Sequence, residues 1–496
     1  MVAPVSFVSG TAPSRVLPPY VRPILLLEMN EIPWRVVDKT LRDGRYPHLQ
    51  RLFGHARTYT TLTQDTGELS PWVTWPTLHR GLPNTMHGIA NLGQDVTTFR
   101  GTPLWEEYRT HGLPVGVCGS MQSWPPQDPG PGGFFVPDTF AHDEQCIPAY
   151  LAPLQRFNLN LVRKNGLVVR NHGFASTEVA RLIPALMRAR LQPSTLRQIV
   201  EQLFGERRDR SRVARRPIFQ TLLFWDVFKS LYRVAHPPAL ATFFSNHVAG
   251  VMHRYWDHVF PEDFPERSAT TDHSHAATMD FALSVLDTMV GDALEFVRKR
   301  PDLLVVFATS MGQAAIHRQH EGVSLSVTDL GRLLSAFDVP TGAAHHLLAM
   351  VPQVAVRIDD KNLRATLRAS LERALIANGR ALFTVNEVGA SLSITIRTPS
   401  RLDVERNGFY QHRSDGTSAF IAWENAGISV HELGAGTAYH IPEGVLALYG
   451  RGISPADERT EIPATAVKAM LLKLGGLAAT DAHEVRRVNE PSNQQR

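Results

Sequence analysis

The sequence predicts an α/β protein: a mostly parallel sheet sandwiched between helices, with a helical insertion and a smaller α+β insertion. Three observations predict it. Short apolar runs ending in polar residues alternate with segments of helical spacing, as in a parallel sheet buried on both faces. Two long stretches break that rhythm, one helical and basic, the other mixed. The chain, 496 residues with 43% hydrophobic and 20% charged, has the composition of a folded protein and is long for one simple domain.

The elements follow in order. "RPILLLEMNE" is a buried strand that delivers polar side chains at its C-terminal tip. "PWRVVDKTLRDGRYPHLQRLF" has helical spacing with a Gly break, and "TPLWEEYRTHGLPVGVCGS" reads as helix, turn and second buried strand. "ATFFSNH" and "PDLLVVFATSMGQ" are two further strands, separated by the helical "DFALSVLDTMVGDALEFVRKR". Ligands of such sheets bind beyond the carboxyl ends of the strands. Asn30, Ser245, Asn246, Ser310 and Gln313 all fall there.

These runs divide the chain into a first core part (18–145), a helical basic cap (146–235) and a second core part (236–345). An α+β insertion (346–430) and a final core part (431–490) complete it. The insertion holds "QVAVRI", a helix in "NLRATLRASLERALIANG", and strands in "ALFTV" and "SLSITIRT". The chain closes on "GVLALYGRGI" and the amphipathic "IPATAVKAMLLKLGGL".

The net charge of +4 conceals an asymmetry. Residues 163–233 carry 15 Lys or Arg against 5 Asp or Glu, a net of +10 that leaves −6 elsewhere. Such a block is either a solvated helical face or a footprint for an anionic partner: a membrane surface or a phosphorylated substrate. No RNA-binding or zinc-finger spacing accompanies it, which argues against nucleic acid. Cys118 and Cys146 are too few for a disulfide framework or a cysteine metal site. No secretory signal pattern opens the chain and no apolar run is long enough to span a bilayer. A cytoplasmic protein, or one peripheral to a membrane, is the expectation.

The richest stretch is "SPWVTWPTLHRGLPNTMHGI", residues 70–89. Its turn chemistry makes poor core material. A threonine hydroxyl needs a base or a metal to become a nucleophile, and a helix N-terminus favours the phosphate it would attack. With Pro76 in a first helical turn, Thr74 either caps that helix or presents its hydroxyl at a strand-to-helix corner.

The order of these pieces resembles the alkaline phosphatase superfamily, in particular its type I phosphodiesterase and nucleotide pyrophosphatase branch. "VTWPTLHRGLPNTMHGI" is similar to the branch's nucleophile segment, with Thr74 at the nucleophile and Gly81, Pro83, His87, Gly88 and Ile89 at framework positions. "YHIPEGVLALYGRGI" and "EIPATAVKAMLLKLGGL" resemble its closing His-containing loop, final strand and last helix. The resemblance covers both halves of the core and omits the two insertions.

It implies metal positions, and there the chain departs from the pattern. The Asp expected after the first strand falls on Asn30, with Glu28 and Glu31 beside it. The next set falls in "SNHVAGVMHRYW", a DHG triplet is replaced by Ser310-Met311-Gly312, and the late His survives as His440. Asn, Ser and Met offer almost no negative charge, so the second cation of the pattern is not expected. What remains is Asn30, Asn246, His253 and His440 as ligands of one divalent metal, zinc or manganese. If "NHVAGVMH" is helical, Asn246 and His253 share a face.

Each residue also has a plainer reading. His253 can pack beside Tyr255 and Trp256. Glu28, on the strand face of Asn30, either supplies a catalytic carboxylate or is an ion-paired core acid. His247, Ser310 and Gln313 are candidates for binding substrate.

Three functions follow. The first is phosphoryl transfer (phosphodiesterase, phosphatase or phosphotransferase) on a phosphate-containing small-molecule or lipid-linked substrate, with Thr74 as nucleophile or phosphate clamp. The second is glycosyl or other transfer from a nucleotide- or lipid-phosphate donor, with Glu28, Glu31 or a histidine as base. The third is non-catalytic binding of a phosphate ligand. Fold alone does not choose among them.

Overall fold

The structure is a computed structural model. The structure describes residues 17–165, 182, 184–265, 275–316, 323–349, 353–397, 404–413, 415–432, 437–456 and 458–477. Six strands of the central sheet are β1 (Ile24–Met29), β2 (Arg57–Leu62), β3 (Val115–Cys118), β4 (Phe134–Val136), β5 (Leu240–Ser245) and β6 (Leu304–Ala308). Two more, Glu443–Tyr449 and Thr460–Pro463, complete an eight-stranded sheet. The order is Thr460–Pro463, β2, Glu443–Tyr449, β6, β1, β5, β3, β4. The strand Glu443–Tyr449 runs antiparallel to both its neighbours, and every other pairing is parallel.

β1 lies at the centre because all six of its residues are apolar or internally partnered, and all six are buried. Its alternation feeds two cores. Ile24 and Leu26 face Trp75, Leu78, Trp105 and Leu471. Leu25, Leu27 and Met29 face the other layer, which includes Trp225, Phe228, Leu286 and Met289. A mostly parallel sheet with helices on both faces is therefore what the sequence predicts, down to the placement of β1, β3, β5 and β6.

The basic stretch expected as a cap contributes more to the core than a cap would. Its last helix, Arg216–Leu231, packs Trp225 against Phe243 of β5 at 4.7 Å and Phe228 against Phe134 of β4 at 5.8 Å. That helix is a wall of the central domain. Part of the stretch, 166–181 and 183, lies outside the described residues.

The second insertion contributes a four-stranded antiparallel sheet, and its apolar core, around Phe383 and Phe409, also takes in Leu325, Leu333 and Phe337 from before residue 346. The helix Lys361–Glu372 starts at Asp360, whose carboxylate accepts from the amides of Asn362 and Leu363. Among the described residues no helix is long and apolar enough to cross a membrane.

Two strands outside the main sheet matter for the site. Gly312–Ala315 and Ala438–Ile441 pair antiparallel, with His440 directly opposite Gln313. This register carries a residue from the last third of the chain to the tip of β6.

Candidate metal centre

Three elements meet past the carboxyl end of β1. The strand ends at Met29, and the chain turns sharply at Asn30 and Glu31. Glu31 holds φ at 59°, a left-handed conformation that costs a residue with a side chain about 1–2 kcal/mol. That turn aims its carboxylate at two histidines. Glu31 Oε2 lies 2.9 Å from His253 Nε2 and 3.4 Å from His440 Nε2. One ligand atom from each residue falls within 4.8 Å of the other two.

The tautomers follow from the partners. His253 Nδ1 lies 3.1 Å from the carbonyl of Ala438, and His440 Nδ1 lies 2.7 Å from that of Leu69. A carbonyl only accepts, so both Nδ1 atoms carry hydrogen. In the neutral rings both Nε2 lone pairs then converge on the Glu31 carboxylate. Three electron-rich atoms so placed require positive charge among them, either as protons on the rings or as a cation. Both resolutions are chemically sound. Burial opposes ionisation of Glu31, but the two histidines outweigh it and hold the carboxyl well below its usual range. Burial likewise opposes charge on His440, and Glu31 beside it raises that pKa on balance.

The carboxylate is held from its other side. Asn30 Nδ2 donates to Glu31 Oε1 at 2.7 Å, and Gln313 Nε2 donates to Oε2. Trp75 Nε1 donates to Asn30 Oδ1 at 2.8 Å. Asn30 Nδ2 also donates to Asn246 Oδ1 at 2.7 Å. Asn30 and Asn246, expected as ligands, are thus bonded to one another, and Asn30 positions Glu31. A carboxylate with two imidazoles is a donor set that suits zinc or manganese, and each imidazole is already oriented through Nδ1.

The helix expectation for "NHVAGVMH" holds. His247–Val259 is helical with Asn246 as its N-cap, and His253 stands two turns along, reaching Glu31. His247, expected to bind substrate, is among the residues lining a cavity beside Asn246 but does not join the Glu31 cluster. Its Nε2–H donates to the carbonyl of Ala282 at 3.1 Å, and Nδ1 accepts from Ser245 Oγ at 2.6 Å. Burial pushes its pKa down to about 4.

Thr74 stands inside the helix Pro71–Arg80 and is not its cap. Ser70 is the N-cap and Pro71 takes the first helical position, where a missing N–H costs nothing. Pro76, expected in the first turn, falls in the interior instead. Thr74 Oγ1 lies 2.7 Å from Ser310 Oγ, and both residues are fully buried. The same helix start serves the metal centre twice, through the Leu69 carbonyl on His440 and through Trp75 on Asn30.

Glu28 does share a strand face with Asn30, toward the helix Pro71–Arg80. Its Oε1 lies 2.8 Å from His79 Nε2, both groups are buried, and His79 stacks on Trp75. The structure brings Glu28 to His79, one helical turn beyond the Trp75–Asn30 bond. His87 organises the motif's loop. Ile89 N–H donates to His87 Nδ1 at 3.0 Å, so His87 Nε2–H donates to Thr77 Oγ1, whose own hydroxyl donates to Asp65 at 2.7 Å.

A cavity of about 350 Å³ opens beside Asn30 and Asn246. Pro71 and Trp72, Phe244 and Ser245 from β5, and Gln220 and Phe224 from the helix Arg216–Leu231 line it. Gly250 and Arg254 face it from the helix that carries His253. Beyond its chain neighbours and its own helix backbone, no atom of the described residues lies within 4 Å of where a Cβ on Gly250 would stand. Among the described residues the cavity wall contains one arginine, Arg254, and no carboxylate.

No family model and no curated protein matches the chain. Solved structures do. The chain is similar to murine ectonucleotide pyrophosphatase/phosphodiesterase 5, at 11% identity and TM-score 0.42, over 92% of this chain and 96% of that one. An inactive form of that protein in complex with AMP matches at 10% identity and TM-score 0.43, with the same coverage of each chain. Phosphonoacetate hydrolase from Sinorhizobium meliloti in complex with phosphonoformate matches at 11% and 0.38, over 92% and 97%. The chemistry of the centre is read from its own residues.

Residue-pattern reasoning placed His253 and His440 together and missed Glu31 as the carboxylate between them. The strand alternation favours Glu28 because it extends the strand through Asn30. The available signal was the "MNE" at the strand's end, where a turn resets which side a residue faces.

Proposed function

We propose that the protein is a metal-dependent phosphoryl-transfer enzyme acting on an organic phosphate ester. One divalent cation would be held by Glu31, His253 and His440. The observation that carries the reading is the convergence of the two Nε2 lone pairs and the Glu31 carboxylate, each fixed from behind. A divalent ion there supplies Lewis-acid stabilisation of the charge that develops on a phosphoryl oxygen.

The chain's own residues would do the rest. Asn30 and Gln313 orient Glu31. The cavity takes the organic part of the ester, and Arg254 at its rim favours an anion. Thr74 would act as the nucleophile or as a clamp with Ser310, a role supported by its place in the motif and by the bond of its neighbour Trp75 to Asn30. Thr74 lies outside the cavity wall, so the phosphate would have to enter between it and the metal ligands.

Turnover of aryl phosphomonoesters and phosphodiesters with and without Zn²⁺ or Mn²⁺ tests this. The reading expects metal-dependent release, lost in Glu31→Gln. Loss in Thr74→Val with retention in Thr74→Ser marks the nucleophile; retention in both assigns attack to water. No turnover of any phosphate ester with metal bound would overturn the activity while leaving the metal centre standing.

A further inference from the structure

The helix Pro193–Arg208 is built inside out. Its buried residues include Thr195, Gln202 and Glu206, while Leu196, Val200, Leu203 and Phe204 are about half exposed or more. At spacings of four, three and one, these four apolar side chains share one face. The polar face is fixed inward. Gln202 Nε2 donates to Glu206 Oε1 at 2.9 Å and to the Arg212 carbonyl at 2.7 Å, and Arg216 pairs with Glu206 at 2.7 Å. Rotating the helix to hide its apolar face would break the two contacts that leave the helix, Gln202 to the Arg212 carbonyl and Glu206 to Arg216. The exposed stripe is therefore a built feature of the native fold.

Its surroundings identify an occupant. Arg197, Arg207, Arg208 and Arg210 are exposed on or next to this helix. Glu201 is paired with Arg197 at 2.7 Å and Glu206 is buried, which leaves Arg207 and Arg208 without an ion-pair partner among the described residues. Arg207 lies over the Phe204 ring at 5.5 Å, so cation and apolar group leave the surface together. The stretch as a whole, 163–233, carries a net +10.

We propose that this face docks on an anionic lipid bilayer, with Leu196, Val200, Leu203 and Phe204 entering the headgroup boundary and the arginines on the lipid phosphates. Apolar side chains flanked by arginines are the composition of an interfacial helix. Docking here does not depend on the metal centre.

Co-sedimentation of the full chain with phosphatidylcholine vesicles, with and without phosphatidylserine, tests the proposal. Binding is expected only to the anionic vesicles and weakens as salt is added. The pair Leu203→Asp, Phe204→Asp lowers the bound fraction about tenfold or more, since each side chain loses its apolar burial. Arg207→Glu with Arg208→Glu does the same by charge. Both pairs are exposed, so melting curves of the variants should overlay the native one. Vesicle binding that is absent, or unchanged in either pair, overturns the proposal. So does a native dimer that becomes monomeric in the Leu203/Phe204 variant without any vesicle binding, because the face then belongs to a second copy.

Discussion

Trp75 donates its indole N–H to Asn30 Oδ1 at 2.8 Å, and that one bond decides which way the buried amide faces. Indole nitrogen only donates, so the amide nitrogen must turn to Glu31, which only accepts. The centre is thus aligned by a side chain that touches neither histidine. Trp75→Phe keeps the ring and removes the donor. Metal affinity should fall, by up to the about 10- to 100-fold that losing Asn30, the outer partner of Glu31, would cost, as read by competition with a chelating dye. An unchanged affinity would show that Asn30 does not position the carboxylate.

The loop after the helix Pro71–Arg80 hangs on Thr77. Its hydroxyl donates to Asp65 and accepts from His87; Thr77 and His87 are buried and Asp65 is partly so. Thr77→Val preserves shape, leaves His87 Nε2–H without its acceptor and removes one donor from Asp65, which keeps Thr63 and the Asn84 amide. It should cost about 1–3 kcal/mol in urea unfolding. A variant as stable as the native chain would mean that water replaces the hydroxyl.

Acid should weaken the fold through buried neutral histidines. Burial depresses His247 and His87 from 6.5 to about 4 in the folded state. A base with a lowered folded pKa binds fewer protons than the unfolded chain between those values. Stability is therefore full above about 6.5 and is lost as the pH falls toward 4, by up to about 1.4 kcal/mol per pH unit for each ring. His247→Gln should flatten the pH dependence of unfolding free energy over that window by one such increment. An unaltered slope would contradict the assignment.

Gly250 interrupts a helix where alanine would be more stable by about 1 kcal/mol, and the space beside it opens into the cavity. Gly250→Leu should raise or preserve the melting temperature while filling that space. The account expects a KM for bulky phosphate esters raised about tenfold or more, with small esters much less affected. Equal effects on large and small esters would place the organic group elsewhere.

Much of this arrangement was legible in the residues, for reasons that differ by element. β1, β3, β5 and β6 declare themselves because strands buried on both faces are apolar without interruption. β2, "RTYTTL", was passed over: it is polar and only partly buried, since it lies one strand from the sheet's edge. His253 and His440 were found through helical spacing and motif order. Thr74 was read beside a helix start that lies at Pro71, because two prolines compete for that position and the Ser-Pro pair is the better signal. Glu31 was hidden by its left-handed turn, a backbone event that no side-chain pattern records. The stretch holding the helix Arg216–Leu231 reads as a cap because it is helical, basic and rich in aromatics, and those same aromatics, Trp225 and Phe228, are what join it to the core.

The central claim is that Glu31, His253 and His440 form one metal site. Calorimetric titration of chelator-treated protein with Zn²⁺ or Mn²⁺, native and Glu31→Gln side by side, tests it most directly. One ion per chain is expected for the native protein, with an affinity weaker by about 100-fold or more in the variant, beyond the effect of an outer partner. No binding by the native chain, or equal binding by both, would contradict it.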